Sequence, residues 1–272
     1  VARLEDRVGN VKVTGDMRLR YRDAEKENSK FDARARVQFN AKVNDRTDAV
    51  VRMATDNFEF GDAASDKTTV KVDRAYVNHK FGERVSVKAG RFGQMLGAGL
   101  AYDDAFDGVQ FNAGNDKVNF QAAYGYGIAG DTLSTRTQNN NPELVVANLN
   151  GKVGKHANVG GFYTHVNGED LQLGGKNVKN IYGFNTDLNF DKVWVGGEWL
   201  KASNVAKSQA WTAGVGYGHY NQAKQGTWDV KAQYFNQKEN SPILSSTWNQ
   251  KYGANSKGWL ATVDYALQNN VG

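Results

Sequence analysis

The sequence predicts an all-β fold, a transmembrane up-and-down antiparallel β-barrel, and three observations carry that expectation. The segment FDARARVQFNAKVN, residues 31–44, alternates without error: Phe31, Ala33, Ala35, Val37, Phe39, Ala41 and Val43 are apolar, and every residue between them is polar or charged. A period of two marks a strand with one apolar and one wet face. Such segments recur along the chain, and the best run thirteen or fourteen residues, where strands of soluble domains are mostly about five or six. The links between them alternate between short and long, as in a barrel with tight turns on one side and longer loops on the other.

Taken in order, the stretch VARLEDRVG (1–9) has Val1, Leu4 and Val8 at helix-like spacing and reads as the end of a periplasmic stalk or a frayed terminus. Residues 10–272 read as the barrel. Fourteen strands are expected, at 10–23, 31–44, 48–60, 70–81, 85–94, 106–114, 117–129, 144–154, 158–168, 181–190, 192–203, 209–221, 226–238 and 257–268. Tight polar links fall at 44–47, 82–85, 114–116, 154–157, 190–192 and 221–226; longer ones fall at 24–30, 61–69, 95–105, 131–143, 170–180 and 239–255. Only the 204–208 link is short where a long one is expected. If residue 10 starts on the short-turn side, the first long loop is external.

Alternation alone also suits a soluble antiparallel sheet packed on one face. The direction of the apolar face is decided by size. A thirteen-residue strand extends about 43 Å, and a tilt near 45° leaves roughly 30 Å, the thickness of bilayer hydrocarbon. About fourteen strands in one meander close into a barrel too wide for side chains to fill. An apolar lining there surrounds a void, whereas a polar lining holds water. The mean hydropathy of −0.64, despite apolar faces throughout, also suits an outer apolar band around a wet interior. The apolar face is therefore expected to meet lipid. Aromatic residues near strand ends agree: Tyr21, Phe31, Phe58, Phe60, Tyr124, Tyr126 and Tyr182 beside long loops, and Phe81, Phe190, Trp194, Tyr220 and Trp228 beside short turns. Amphipathic rings belong at the two lipid–water interfaces, although aromatic β-propensity alone also enriches strands in them.

Composition limits the partners. The net charge of +5 arises from 34 basic and 29 acidic residues, a mild excess and not the basic stripe of a nucleic-acid binder. The absence of cysteine removes disulfide frameworks and thiolate metal sites. No run reaches the roughly 18 apolar residues of a spanning helix. No secretory signal opens the sequence, so the chain is expected to be mature or never exported.

The wet face carries the candidate chemistry. In the first strand Lys12, Asp16, Arg18, Arg20 and Arg22 point away from Val11, Val13, Met17, Leu19 and Tyr21. If the 24–30 loop closes a simple hairpin, Arg20 lies opposite Arg34 and Arg18 opposite Arg36. Like charges across a ladder destabilise it unless water or acids such as Asp16, Asp32 and Asp56 relieve them. Arg52 continues the same face. On a soluble sheet this is a solvated basic surface; inside a barrel it is a basic wall that focuses the field on passing ions. The link 95–105 is Gly-rich and apolar, and it carries an acidic cluster of Asp103 and Asp104 with Asp107 just beyond. It either folds back into the barrel, setting acids opposite the basic wall, or makes an external contact.

Enzyme-like signals are weak. GYGIAG (125–130) fits the dinucleotide pattern, but DTLSTRTQNNN follows it instead of a helix. His79, His156, His165 and His219 lack ligand spacing, nothing marks Ser208, the serine nearest His219 in sequence, as a nucleophile, and GDAASD (61–66) lacks the spaced ligands of a calcium loop. Neither a cofactor nor a metal is expected.

With VKVTGDMRLRYR (11–22) after a stalk-like LEDRVG, DRAYVNHKFG (73–82) and VKAGRFGQMLGAGLAYDDAFDGVQF (87–111), the chain resembles bacterial outer-membrane general porins. It is most similar to the OmpM-type porins of diderm Firmicutes, which carry an S-layer-homology anchor. The resemblance implies a water-filled barrel of about sixteen strands, a homotrimer among outer-membrane phospholipid and lipopolysaccharide, and passive diffusion of ions and small hydrophilic solutes. It implies a third long loop folded in as a constriction, here 95–105 with Asp103 and Asp104, facing Arg18, Arg20, Arg34, Arg36 and Arg52. The sequence has no S-layer-homology domain, so contact with peptidoglycan or another cell-wall polymer would need a domain outside it. It ends at ALQNNVG, at what reads like a short turn, so the expectation is either a further closing hairpin or closure by the fourteen strands, an even number. A substrate-selective channel for oligosaccharides and a structural anchor or adhesin are the other readings.

Overall fold

The computed structural model describes residues 9–62, 68–128, 141–246, 248 and 255–272. The expected stalk, apart from Gly9, lies outside the described residues, as do parts of the links at 61–69, 131–143 and 239–255. Every named element is a strand. The chain falls into two compact units, Val1–Phe92 and Gly93–Gly272.

The first unit holds β1 (Val11–Arg22), β2 (Lys30–Asn44), β3 (Thr47–Thr55), β4 (Phe58–Glu59), β5 (Val70–Lys80) and most of β6 (Val85–Leu96). Its long strands pair antiparallel in chain order, while the two-residue β4 pairs with β2. The strand expected at 48–60 is thus two elements, and a register shift between Arg52 and Met53 marks where β3 loses its regular pairing with β5. The second unit holds β7 (Tyr102–Gly114), β8 (Val118–Ile128), β9 (Glu143–Val153), β10 (Ala157–Asn167), β11 (Gln172–Leu173), β12 (Lys176–Asn177), β13 (Asn180–Phe190), β14 (Val193–Ala202), β15 (Ala210–Gly218), β16 (Trp228–Gln237) and β17 (Ser256–Tyr265). Its long strands again pair antiparallel in chain order, and β11 and β12 form a separate small hairpin. All fourteen expected strands are present.

In both units burial is inverted relative to a soluble sheet. Val13, Met17, Leu19 and Tyr21 on β1 are exposed, Leu19 at 58%, whereas Asp32 on the opposite face of β2 is 1% exposed. On β9, Leu149 is 53% exposed while Asn148 is buried; on β14, Val193 and Val195 are exposed while Glu198 is 3% exposed. Apolar side chains outward and polar ones covered is the arrangement in which the solvent of the outer face is lipid. The outward face also carries aromatic clusters. Trp211 and Trp259 flank Tyr234 at 5.4 and 5.2 Å between ring centroids, and Phe184 and Tyr182 flank Trp199 at 5.4 and 5.9 Å. Tyr217 and Trp228 form a further pair at 6.0 Å.

Two expectations need correction here. The link expected at 95–105 is only 97–101, because β6 runs on to Leu96 and β7 begins at Tyr102. Trp194, expected at an interface, lies on the covered face: it shares the parity of Gly196 and Glu198, not that of Val193 and Val195.

Candidate functional site

In the first unit the six expected arginines do share one face, and the ladder brings acids to them. The register places Arg20 opposite Asp32, Asp16 opposite Arg36 and Arg18 opposite Arg34. It is offset by two residues from the simple hairpin, and the offset brings opposite charges together at Arg20–Asp32 and Asp16–Arg36 while like charges still face each other at Arg18–Arg34 and Arg22–Lys30. Arg20 donates to Asp32 from Nε at 3.2 Å and from Nη2 at 2.9 Å, and Arg22 Nη2 reaches the same carboxylate at 2.8 Å. Arg36 donates from Nε to both oxygens of Asp16 at 3.0 Å, with Nη2 at 2.8 Å, and Arg34 stands 4.0 Å from that carboxylate. Arg52 forks onto Asp73 from Nε at 2.9 Å and Nη2 at 2.7 Å. Arg18 Nη2 donates to Asn57 Oδ1 at 2.6 Å. Six guanidiniums meet three carboxylates, Asp16, Asp32 and Asp73, so the face stays net positive. The sequence alone does not single out Asp73 for this role, because its one-residue offset from Arg74 across the β3–β5 irregularity hides it from a simple register count.

In the second unit the link 97–101 turns onto the covered face and is held there. The Glu198 carboxylate on β14 accepts from Ala98 N at 2.6 Å and from Leu100 N at 2.7 Å. Asn148 on β9 accepts from Gly97 N at 3.1 Å and donates to Met95 O at 2.8 Å. Trp248 Nε1 donates to Ala98 O at 3.0 Å, and Leu244 N donates to Ala101 O at 2.8 Å. A closed ring of four side-chain amides lies beside it: Gln94 donates to Gln121 at 2.7 Å, Gln121 to Asn112 at 3.0 Å, Asn112 to Gln110 at 2.9 Å and Gln110 to Gln94 at 2.7 Å. Each amide in such a ring satisfies both a donor and an acceptor, which holds polar groups at low exposure without charge.

The expectation of a wet covered face throughout is not met in this unit. At the long-loop ends of β9, β10, β13 and β14 the covered positions include Leu144, Val146, Phe162, Val166, Ile181 and Leu200, all buried, with Thr164 among them. The links supply Leu100, Leu171, Val178, Ile243 and Leu244, also buried. The inward segments thus add buried apolar side chains of their own to an apolar stretch of the covered face.

The three acids are not in a loop. All lie on β7. Asp104 shares the parity of Gln110 and Asn112 on the covered face; it accepts from Ser245 Oγ at 2.9 Å and from Ala105 N at 2.7 Å. Asp103, whose N donates to Ser245 O at 2.7 Å, and Asp107, paired with Tyr126, have the other parity. Among the described residues no group of three or more His, Cys, Asp or Glu side chains is placed to hold a metal ion.

Comparison with known proteins extends this picture. No curated protein matches the chain. Among solved structures, a triple mutant of Rhodopseudomonas blastica porin is similar over 95% of this chain and 90% of its own, at 13% identity and a TM-score of 0.60. OccD3 (OpdP) of Pseudomonas aeruginosa is similar over 88% of this chain and 62% of its own, at 13% identity and a TM-score of 0.55. At that identity the likeness speaks for the fold, the all-β porin barrel. A family model described as "Putative porin" matches residues 5–141, which is half of the 272 residues. With that match joined to a covered charged face and an apolar outer one, the chain belongs to this porin family.

Proposed function

We infer that the chain forms a water-filled channel through which ions and small hydrophilic solutes diffuse passively across an outer membrane. The observation that carries this reading is the inverted burial of its strands, with Leu19 and Leu149 outward and Asp32, Asn148 and Glu198 covered. In the finer reading, Arg18, Arg20, Arg22, Arg34, Arg36 and Arg52 are a positive wall along the path, and the inward link 97–101 narrows it. Asp104 has the parity suited to an acidic constriction, with Asp103 and Asp107 beside it on the same strand. Fixed charges beside a low-dielectric wall act on permeating ions more strongly than in bulk water. The arginine excess favours anions. Transport of this kind needs no chemical step, and the reading is a channel, not an enzyme.

The quoted motifs support an OmpM-type barrel in a diderm envelope, and family membership supports a homotrimer surrounded by outer-membrane lipid. Contact with a cell-wall polymer rests on the resemblance alone. The experiment is single-channel conductance of purified protein in a planar bilayer, with the reversal potential read across a KCl gradient. Large, stable steps with anion preference are expected. Folded, inserted protein that passes no current overturns the channel reading.

A further inference from the structure

One cavity on the covered face of the second unit has features that diffusion does not require. It measures about 290 Å³ and is lined by Ala98, Trp194, Lys231, Gln233, Trp248, Thr262 and Asp264. Its floor is an indole laid flat. Trp194 leans from β14 across three glycines: a Cβ on Gly196 would stand 2.5 Å from its Cζ2, one on Gly214 3.1 Å from Cζ3, and one on Gly216 3.4 Å from Cε3. Gly214 and Gly216 follow one another on the covered face of β15, and Gly216 is the ladder partner of Trp194. Side chains at these positions would lift the ring away from the sheet. Their absence lets one ring face rest on backbone while the other meets the cavity.

A second indole makes a corner with the first. Trp248 stands 6.3 Å from Trp194 between centroids, at 45° between planes, and is steadied by its bond to Ala98 O and by an edge contact with Phe235 at 6.5 Å. Around the corner stand Lys231, Gln233, Thr262 and Asp264 on β16 and β17. Among the described residues, the Lys231 ammonium, the Gln233 amide and the Thr262 hydroxyl form no hydrogen bond to protein. They hold donors and an acceptor open to whatever occupies the cavity.

We propose that this corner is a binding subsite for a neutral sugar ring, a pyranose of a mono- or oligosaccharide passing through the channel. The proposal rests on the channel reading and adds a solute class to it. A pyranose presents an apolar C–H face and an equatorial rim of hydroxyls. The face suits the bared indole of Trp194, and the rim suits mixed donors and acceptors. The other classes fit less well. Two rings at 45° do not form the parallel slot that clamps a planar base. Lys231 Nζ stands 5.8 Å from the Trp194 ring centroid, near the outer limit of a cation–π contact, so the ring face stays open to a neutral group while a ligand cation there would be repelled. A strongly anionic solute meets Asp264, and a cationic one meets Lys231. A cavity at the small end of ligand pockets holds a single ring-sized group.

The test uses the full chain, with maltotriose as probe and sorbitol as a ring-free polyol. Two readouts are taken: interruption of single-channel current in a planar bilayer, and tryptophan emission of the detergent-solubilised protein. Maltotriose is expected to interrupt the current and perturb the emission with half-effects of about 1–10 mM, the weak affinity suited to a solute that must leave again. Sorbitol is expected to do neither. Trp194→Ala should weaken both effects about tenfold, and Trp194→Phe should recover most of the loss. Gln233→Leu, which keeps the indole corner, should weaken them severalfold. A conducting protein whose current and emission both ignore maltotriose overturns the proposal, and so does a Trp194→Ala variant with undiminished response. Protein that binds maltotriose in detergent but never conducts would instead overturn the channel reading and leave the subsite standing.

Discussion

The backbone of Gly97 and the carboxylate of Glu198 approach so closely that a Cβ on Gly97 would stand 2.2 Å from Oε2 and 2.8 Å from the Phe162 ring. Gly97 also has φ +58°, a conformation that side chains disfavour. A link that reverses direction while lying flat on a strand needs a residue without a side chain there. Glu198 then closes on the two amides that the turn leaves pointing toward it. Glu198→Ala removes the acceptor of both amides, at a cost of about 2–3 kcal/mol to the closed position of the link. The expected outcome is a larger and noisier single-channel step. Gly97→Val, which cannot adopt the turn beneath Glu198, should produce the same change. Steps of unchanged size in both variants would show that the link does not narrow the path.

The positive wall gives an electrical prediction. Replacing Arg18, Arg20, Arg34 and Arg36 together by Ser removes four of the six guanidiniums while leaving Asp16 and Asp32 in place. The covered face of β1 and β2 then loses most of its positive excess, and the reversal potential across a KCl gradient should move toward cation preference. The shift should fade as salt rises, because the screening length falls to about 3 Å at 1 M. An unchanged reversal potential in the quadruple variant would remove these residues from the permeation path.

Asp32 separates the structural role of the wall from its electrical one. It is 1% exposed and receives three close N–H contacts from Arg20 and Arg22. Asp32→Ala leaves both guanidiniums without that acceptor. Since both arginines are partly open to water, the expected loss is modest, about 1–2 kcal/mol. It should appear as a lower thermal unfolding midpoint, accompanied by stronger anion preference. The two readouts move together only if the same carboxylate braces the sheet and offsets the field.

The fourteen strands were legible because lipid outside and polar groups inside enforce a period of two along nearly every segment. The periodicity fails where both faces are dry, and there the reading fails with it. Leu96, Leu100, Tyr102, Ala105 and Phe106 are all buried, so the alternation dissolves and the ends of β6 and β7 read as loop in the sequence. The β1–β2 register was within reach. Sliding the strands by two sets Arg20 on Asp32 and Arg36 on Asp16, which the repulsion between facing like charges favours. Trp194 reads as interfacial from its closeness to a turn, although its parity with Glu198 marks it as covered. The contacts of Glu198 and Asn148 with the 97–101 link were beyond the sequence, since they join segments about 50 and 100 residues apart through a fold-back that no local pattern encodes.

Leu149 and Asn150 are neighbours on β9 with opposite outlooks, and together they test which face meets lipid. In a soluble sheet, Leu149→Arg at a position 53% exposed would be harmless or would aid solubility. Facing a bilayer, the same arginine costs about 2–4 kcal/mol near the midplane and less toward either interface. Asn150 lies on the polar face, where it lines an open groove with Lys117, Lys152 and Asp187; Asn150→Arg should therefore leave insertion intact. The measurement is refolding into lipid vesicles, followed by denaturant titration of the inserted fraction. A marked loss for Leu149→Arg, with wild-type behaviour for Asn150→Arg, fixes the apolar face on lipid. Equal tolerance of both would mean that the exposed leucine meets water, and the inverted burial would then need an explanation other than a membrane.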